Sequence, residues 1–170
     1  MSQETPVQKR NKKQKSVVYP GSFDPITLGH LDIIERLNKN FDQVVVLISS
    51  STQKKYIFNT KERKELVQKA CAGISNVKVD SWDGLLVDYI KNNKISMIAK
   101  GLRNSRDFDY EVTMDHTNKT LFPEIETVYL ISRPEFSFIS STLVKEIAML
   151  KGNLKKFVPE IVLKALLKKI

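Results

Sequence analysis

From Val17 onward the chain alternates between two hydrophobic textures. Short runs rich in β-branched and aromatic residues, Val17-Val18-Tyr19, Val44-Val45-Val46-Leu47-Ile48, Val77-Lys78-Val79, Met97-Ile98-Ala99 and Val128-Tyr129-Leu130-Ile131, predict five strands. Between them the apolar positions Leu31-Ile33-Ile34-Leu37, Leu66-Val67-Ala70, Leu85-Leu86-Tyr89-Ile90 and Val112-Met114 recur at roughly helical spacing. Two more helical stretches begin near Ser140 and after Pro159, with Gly152-Asn153 as the stop between them. Strands that alternate with helices predict a parallel sheet covered on both faces.

Composition bounds this picture. A chain of 170 residues, 41% hydrophobic, holds one sizeable core. Residues 1–16 carry Lys9, Arg10, Lys12, Lys13 and Lys15 against Glu4 and almost no large apolar side chain, which predicts a disordered basic tail ahead of a single domain over 17–170. The formal charge of +9 is terminal: residues 1–16 and 151–170 hold all of the excess, and residues 17–150 carry none. A dedicated nucleic-acid binder more often shows a basic stripe across its folded body, so solubilising ends are the expectation and no specific nucleic acid is. The lone Cys71 permits no disulfide and reads as a small core residue. No apolar run reaches membrane-span length, and the opening residues lack a signal-peptide segment, so a cytoplasmic protein without a membrane is expected.

The stretch with most chemistry follows the first strand: Tyr19-Pro20-Gly21-Ser22-Phe23-Asp24-Pro25-Ile26-Thr27-Leu28-Gly29-His30. In an open α/β sheet a ligand lies beyond the carboxyl ends of the strands, where this turn brings backbone N–H groups and a helix N-terminus. Gly21 lets the backbone pass close to a ligand, Ser22 offers a hydroxyl, and Gly29 leaves room for phosphates beside the helix start. His30 then points an imidazole at charge developing on a phosphate. A Gly-His pair taken alone is a surface or cap histidine; its place behind a Gly-Ser turn after the first strand favours the phosphate reading. His116 has no such setting and reads as a helix-surface residue. The spacing is that of neither a Walker A loop nor G-x-G-x-x-G.

With these residues the chain resembles the nucleotidyltransferases of the Thr/His-x-Gly-His class, and more closely the phosphopantetheine adenylyltransferases. Lys100-Gly101-Leu102-Arg103, Asp107-Phe108-Asp109-Tyr110-Glu111 and Phe138-Ile139-Ser140-Ser141-Thr142-Leu143-Val144-Lys145-Glu146 match that family's later blocks in order and approximate spacing, so the resemblance spans roughly 17–165. It implies a Rossmann-like, doubly wound, five-stranded parallel sheet with helices on both faces and C-terminal helices. It also implies transfer of the adenylyl group of ATP to 4′-phosphopantetheine, giving dephospho-coenzyme A and pyrophosphate, with Mg2+ present, no covalent intermediate and a homohexameric assembly.

By the same resemblance His30 stabilises the transition state. Ser22, Phe23, His30, Gly101, Leu102, Arg103, Glu111 and the run Phe136, Ser137, Phe138, Ile139, Ser140, Ser141, Thr142 face ATP. Ser22, Lys54, Leu86 and Lys100 face the pantetheine arm and its phosphate. Read from the residues alone, Lys54-Lys55 is a solvated pair, Leu86 equally core, and Ser140-Ser141-Thr142 an N-cap, although a helix start with surplus donors is itself an anion site. The chain departs from the family in two places. Lys100 stands where Arg is usual, which removes a bidentate fork, and Thr142 replaces a third Ser but keeps its hydroxyl. Nicotinamide mononucleotide is the rival acceptor, set against by the later blocks.

Overall fold

The computed structural model describes residues 14–51 and 54–170. The five expected strands are present: β1 (Ser16–Gly21), β2 (Gln43–Ser49), β3 (Val77–Trp82), β4 (Met97–Leu102) and β5 (Glu126–Ile131). They form one sheet of order β3-β2-β1-β4-β5, and every ladder is parallel. The intervening helices are α1 (Leu28–Asn38), α2 (Thr60–Ala70), α3 (Leu86–Asn92) and α4 (Ser105–Leu121), followed by α5 (Ser141–Met149) and α6 (Glu160–Lys169). A short 3-10 turn, Pro134–Phe136, precedes α5.

Period-two alternation explains how the sheet is covered on both sides. Val17, Tyr19, Val44, Val46, Ile48 and Ala99 face one core with Ile33, Ile34 and Leu37 of α1, Leu66 and Val67 of α2, Val144 of α5, and Val162 and Leu166 of α6. The alternate residues Val18, Val45, Leu47 and Ile98 face a second core with Val87, Tyr89 and Ile90 of α3. Strands buried on both faces read as continuous apolar runs, as Val44 to Ile48 does. The doubly wound, Rossmann-like architecture follows from this packing.

Four details refine the sequence expectation. The tail expected through Ser16 begins to be ordered sooner: Ser16 lies in β1, and the Lys15 amide donates to Asp42 Oδ2 at 2.8 Å. Residues 1–13 of that tail lie outside the described residues. Strand β4 extends to Leu102, so Lys100 and Gly101 sit on a strand end rather than in a loop. The helix expected around Val112-Met114 is present as α4, but its large apolar residues Phe108, Tyr110, Met114 and Leu121 are exposed and only Asn118 is buried. Cys71 is buried at the C-cap of α2, where desolvation raises its thiol to about 11. Among the described residues no helix is long and apolar enough to cross a membrane.

The loops at the carboxyl edge are tied together by a buried carboxylate. Asp24 Oδ1 accepts from the Phe58 amide at 2.9 Å, and Oδ2 accepts from the Ile57 amide at 3.0 Å and from Lys145 Nζ at 3.3 Å. One side chain thus joins the β1–α1 turn, the loop before α2 and helix α5. Truncation strands two amides, so Asp24→Ala is expected to lower stability by about 2–4 kcal/mol. Asp24→Asn should cost less, and urea unfolding of the two variants checks both.

Candidate active site

The sheet order reverses between β1 and β4, and these strands share a single residue pair in register, Val18 with Ile98. Beyond that pair a cleft of about 590 Å³ opens at their carboxyl ends. The switch point of an open α/β sheet is where a ligand crevice is expected. Lys54, Lys55, Lys100, Arg103 and Lys145 line it against Asp24 and Glu111. A chain body with no net charge therefore presents a strongly cationic cavity.

His30 lies at the head of this cleft, and its geometry follows from its place in α1. Thr27 is the N-cap, with its Oγ1 accepting from the His30 amide at 3.3 Å. In return His30 Nδ1 lies 3.0 Å from the Thr27 amide and 3.0 Å from Thr27 Oγ1. This is a capping box in which histidine occupies the N3 position usually held by Glu or Gln. An amide N–H can only donate, so Nδ1 carries no proton in the neutral ring and Nε2 does.

The ring is also wedged. Phe23 packs edge-on against it at a centroid distance of 5.1 Å, and Tyr19 packs on Phe23 at 5.5 Å. Phe23 holds φ at 46°, a left-handed conformation costing on the order of 1 kcal/mol, and is fully buried. Burial and then the Arg103 cation push the imidazole down from 6.5 to about 4. The group facing the cleft at neutral pH is thus an uncharged Nε2–H donor.

The remaining expected residues fall into two groups. Ser22, Gly101, Arg103, Glu111, Phe136, Ile139, Ser140, Ser141, Thr142, Lys54, Leu86 and Lys100 line the cleft together with Phe23 and His30. Leu102, Ser137 and Phe138 do not. Leu102 is buried in β4, Ser137 Oγ donates to Pro134 O at 2.9 Å, and Phe138 is exposed and stacks edge-on against Phe157. Alternation along β4 turns Leu102 away from the face that Gly101 presents. Phe138 and Ser137 lie in the turn leading into α5, whose chain direction no sequence period specifies.

Several cleft residues are already engaged with one another. Lys100 Nζ pairs with Glu111 Oε2 at 2.9 Å. Arg103 forms a fork with Asp107, Nε to Oδ2 at 2.9 Å and Nη2 to Oδ1 at 3.2 Å. Ser140 Oγ accepts from the Leu143 amide at 3.0 Å as the N-cap of α5, and Ser141 Oγ donates to Pro25 O at 2.8 Å. Of the three hydroxyls only that of Thr142 is without a partner among the described residues. The anion-binding capacity of this helix start therefore rests on Thr142, on the first-turn amides and on Lys145 one turn later.

Sequence reasoning did not single out Asp24, Lys145 or Trp82, which also line the cleft, nor Arg63, which is buried in α2. Lys145 carried a usable signal, since it lies four residues after Ser141 on one face of a helix start. Arg63 carried none. Among the described residues no group of three or more His, Cys, Asp or Glu side chains is arranged to hold a metal ion. The cleft's donors suit anions instead.

Known proteins place the chain clearly. The cytidylyltransferase-like family matches residues 18–147. A phosphopantetheine adenylyltransferase of Bdellovibrio bacteriovorus is 49% identical over 156 residues, covering 92% of this chain and 98% of its own. That of Thermosynechococcus vestitus is 52% identical over 149 residues, covering 88% of this chain and 89% of its own. A solved structure of a candidate nicotinate-nucleotide adenylyltransferase from Vibrio parahaemolyticus superposes with a TM-score of 0.66 at 18% identity, covering 91% of this chain and 93% of that one. At that identity the likeness is one of fold.

Because its imidazole is held neutral, His30 should show no titration in NMR between pH 8 and about 5, with Nε2 as the protonated nitrogen. As pH falls through 6.5 the unfolded chain takes up a proton that the folded chain refuses until about 4. His30 therefore contributes a loss of stability across that window, and His30→Ala should flatten the slope of urea midpoint against pH there.

Proposed function

The chain belongs to the cytidylyltransferase-like family and, within it, to the phosphopantetheine adenylyltransferases, and from that premise we propose that it transfers the adenylyl group of ATP to 4′-phosphopantetheine. An oxygen of the acceptor phosphate attacks the α-phosphorus in line. The new phosphorus–oxygen bond gives dephospho-coenzyme A as the bond to the β-phosphate breaks and pyrophosphate leaves. No covalent enzyme intermediate is needed, because positioning and charge stabilisation supply the catalysis.

The observation that carries this reading is the neutral, capped His30 at the head of a cation-lined cleft. Its Nε2–H is a fixed dipole aimed where charge grows on the α-phosphate oxygens, and it costs no reorganisation as the reaction proceeds. Arg103, Thr142 and the start of α5 suit the ATP phosphates, with Glu111 beside the nucleoside. Ser22, Lys54, Leu86 and Lys100 suit the acceptor. Lys100 and Glu111 are paired with each other, so acceptor binding draws on Lys100 against a competing carboxylate.

Magnesium would come with ATP and would neutralise phosphate charge; among the described residues no group of three or more His, Cys, Asp or Glu side chains is placed to hold it, so phosphate oxygens and water would be its main ligands. The exposed apolar side chains of α4, Phe108, Tyr110 and Leu121, together with Ile131 at the end of β5, support self-association. The assembly we propose is a homohexamer working in the cytoplasm.

Pyrophosphate release from ATP should occur with 4′-phosphopantetheine and fail with nicotinamide mononucleotide; the reverse preference would sink this assignment. His30→Ala should lower kcat by about 10²–10³ with ATP affinity nearly unchanged, since the lost donor acts in the transition state. Equal loss of kcat and ATP affinity would move His30 to ground-state binding. Lys100→Arg, which restores a fork, should keep or tighten acceptor binding in the same assay.

A further inference from the structure

Arg63 of α2 is almost wholly buried, at 1% exposure, yet no carboxylate among the described residues pairs with it. Its neighbour Glu62 is engaged by Lys169 at 2.6 Å. A buried guanidinium without a counter-ion is costly unless its donors find oxygens. Arg63 finds four: Nη1 donates to Ser22 O at 2.7 Å and Ser49 O at 3.1 Å, and Nη2 to Ser50 Oγ at 2.8 Å and Thr60 Oγ1 at 3.2 Å. Its plane also stacks on the Tyr56 ring, 4.2 Å from the centroid, and the Tyr56 hydroxyl accepts from the Ser51 amide at 2.6 Å.

These contacts share one geometric property. Ser22 belongs to the turn after β1, whereas Ser49, Ser50, Ser51 and Tyr56 belong to the end of β2 and the loop that carries Lys54. Both segments line the cleft, and the guanidinium bridges their carbonyls with a single nitrogen. The ATP-side groups Arg103, Glu111 and Thr142 are carried by the turn after β4, by α4 and by α5, and Arg63 hydrogen-bonds to none of them.

We propose that Arg63 is a positioning residue: its buried guanidinium sets the spacing between the Ser22 turn and the Lys54 loop, and so the seat of the acceptor phosphate, leaving the ATP seat alone. The acceptor half of this inference rests on the proposed function. A lysine at this position keeps the charge but has no planar fork to span two carbonyls and two hydroxyls, nor a flat face to stack on Tyr56. Specificity for Arg is therefore part of the inference.

The test compares wild type, Arg63→Lys and Tyr56→Phe by steady-state pyrophosphate release, by ATP binding and by amide hydrogen exchange. Arg63→Lys is expected to raise KM for 4′-phosphopantetheine by about tenfold and to lower kcat, the scale of a lost charge-assisted hydrogen bond, with ATP affinity held within about twofold. Exchange should quicken over 21–24 and 49–51 but not over 140–145. Tyr56→Phe keeps the stack but loses the Ser51 bond, and should move acceptor KM in the same direction by less, at an unchanged urea midpoint; it decides the matter if Arg63→Lys does not fold.

Equal changes in acceptor and ATP parameters, or lowered stability with both unchanged, would reduce Arg63 to a structural residue and overturn the proposal. A wild-type enzyme silent with 4′-phosphopantetheine would instead overturn the function assigned above. Exchange over the two segments would still judge whether Arg63 holds them together.

Discussion

A parallel sheet that grows from β1 in both directions must leave a gap at its growth point. The chain goes from β1 to β2 and β3 on one side, then returns to lay β4 and β5 on the other. Every strand is parallel, so all connections leave from the same edge, and the ones after β1 and β4 diverge to opposite faces. The cleft is the space between those departures. The helix starts that surround it present backbone N–H groups without intrahelical partners, which suits anionic ligands before any side chain is considered.

The first of those helix starts has a second duty. A capping box satisfies the orphan amides of α1, and any residue able to accept at N3 would serve that purpose. Histidine in that place couples the helix cap to a ring tautomer, because the nitrogen that accepts from the Thr27 amide dictates which nitrogen carries the proton. Phe23, forced into a left-handed conformation, supplies the wall that stops the ring from turning. The strain of that residue and the desolvation of the imidazole are offset by the surrounding core, since Phe23 and Tyr19 both belong to the cluster that contains α1.

The loops beside this helix start are organised by buried charges that hydrogen-bond to backbone. Asp24 and Arg63 are both buried; Asp24 accepts from two loop amides and from Lys145, and Arg63 donates to two loop carbonyls and two hydroxyls. Each replaces the secondary structure that these loops lack, and each holds segments more than thirty residues apart in sequence, as the Asp24–Phe58 and Arg63–Ser22 bonds show.

Much of this molecule was legible in its sequence. The five strands and six helices were read from local periodicity, because burial of a strand or a helix face imposes a repeat of two or of about 3.6 on neighbouring residues. The turn ending in His30 was legible as a candidate site because it follows the first strand directly, and the later blocks were legible through resemblance. What depended on segments meeting was not. The cationic cleft is invisible in a body with no net charge, since Lys54, Lys100, Arg103 and Lys145 converge only when four strand ends are placed side by side. The engagement of Ser140 and Ser141, the absence of Leu102, Ser137 and Phe138 from the lining, and the neutrality of His30 follow from facing and desolvation. Sequence by itself determined the elements and the nature of the chemistry, because those are local properties of the chain. Tertiary structure decided which donors are free, which are occupied and which nitrogen holds the proton, because hydrogen bonds and dielectric are settled by neighbours in space.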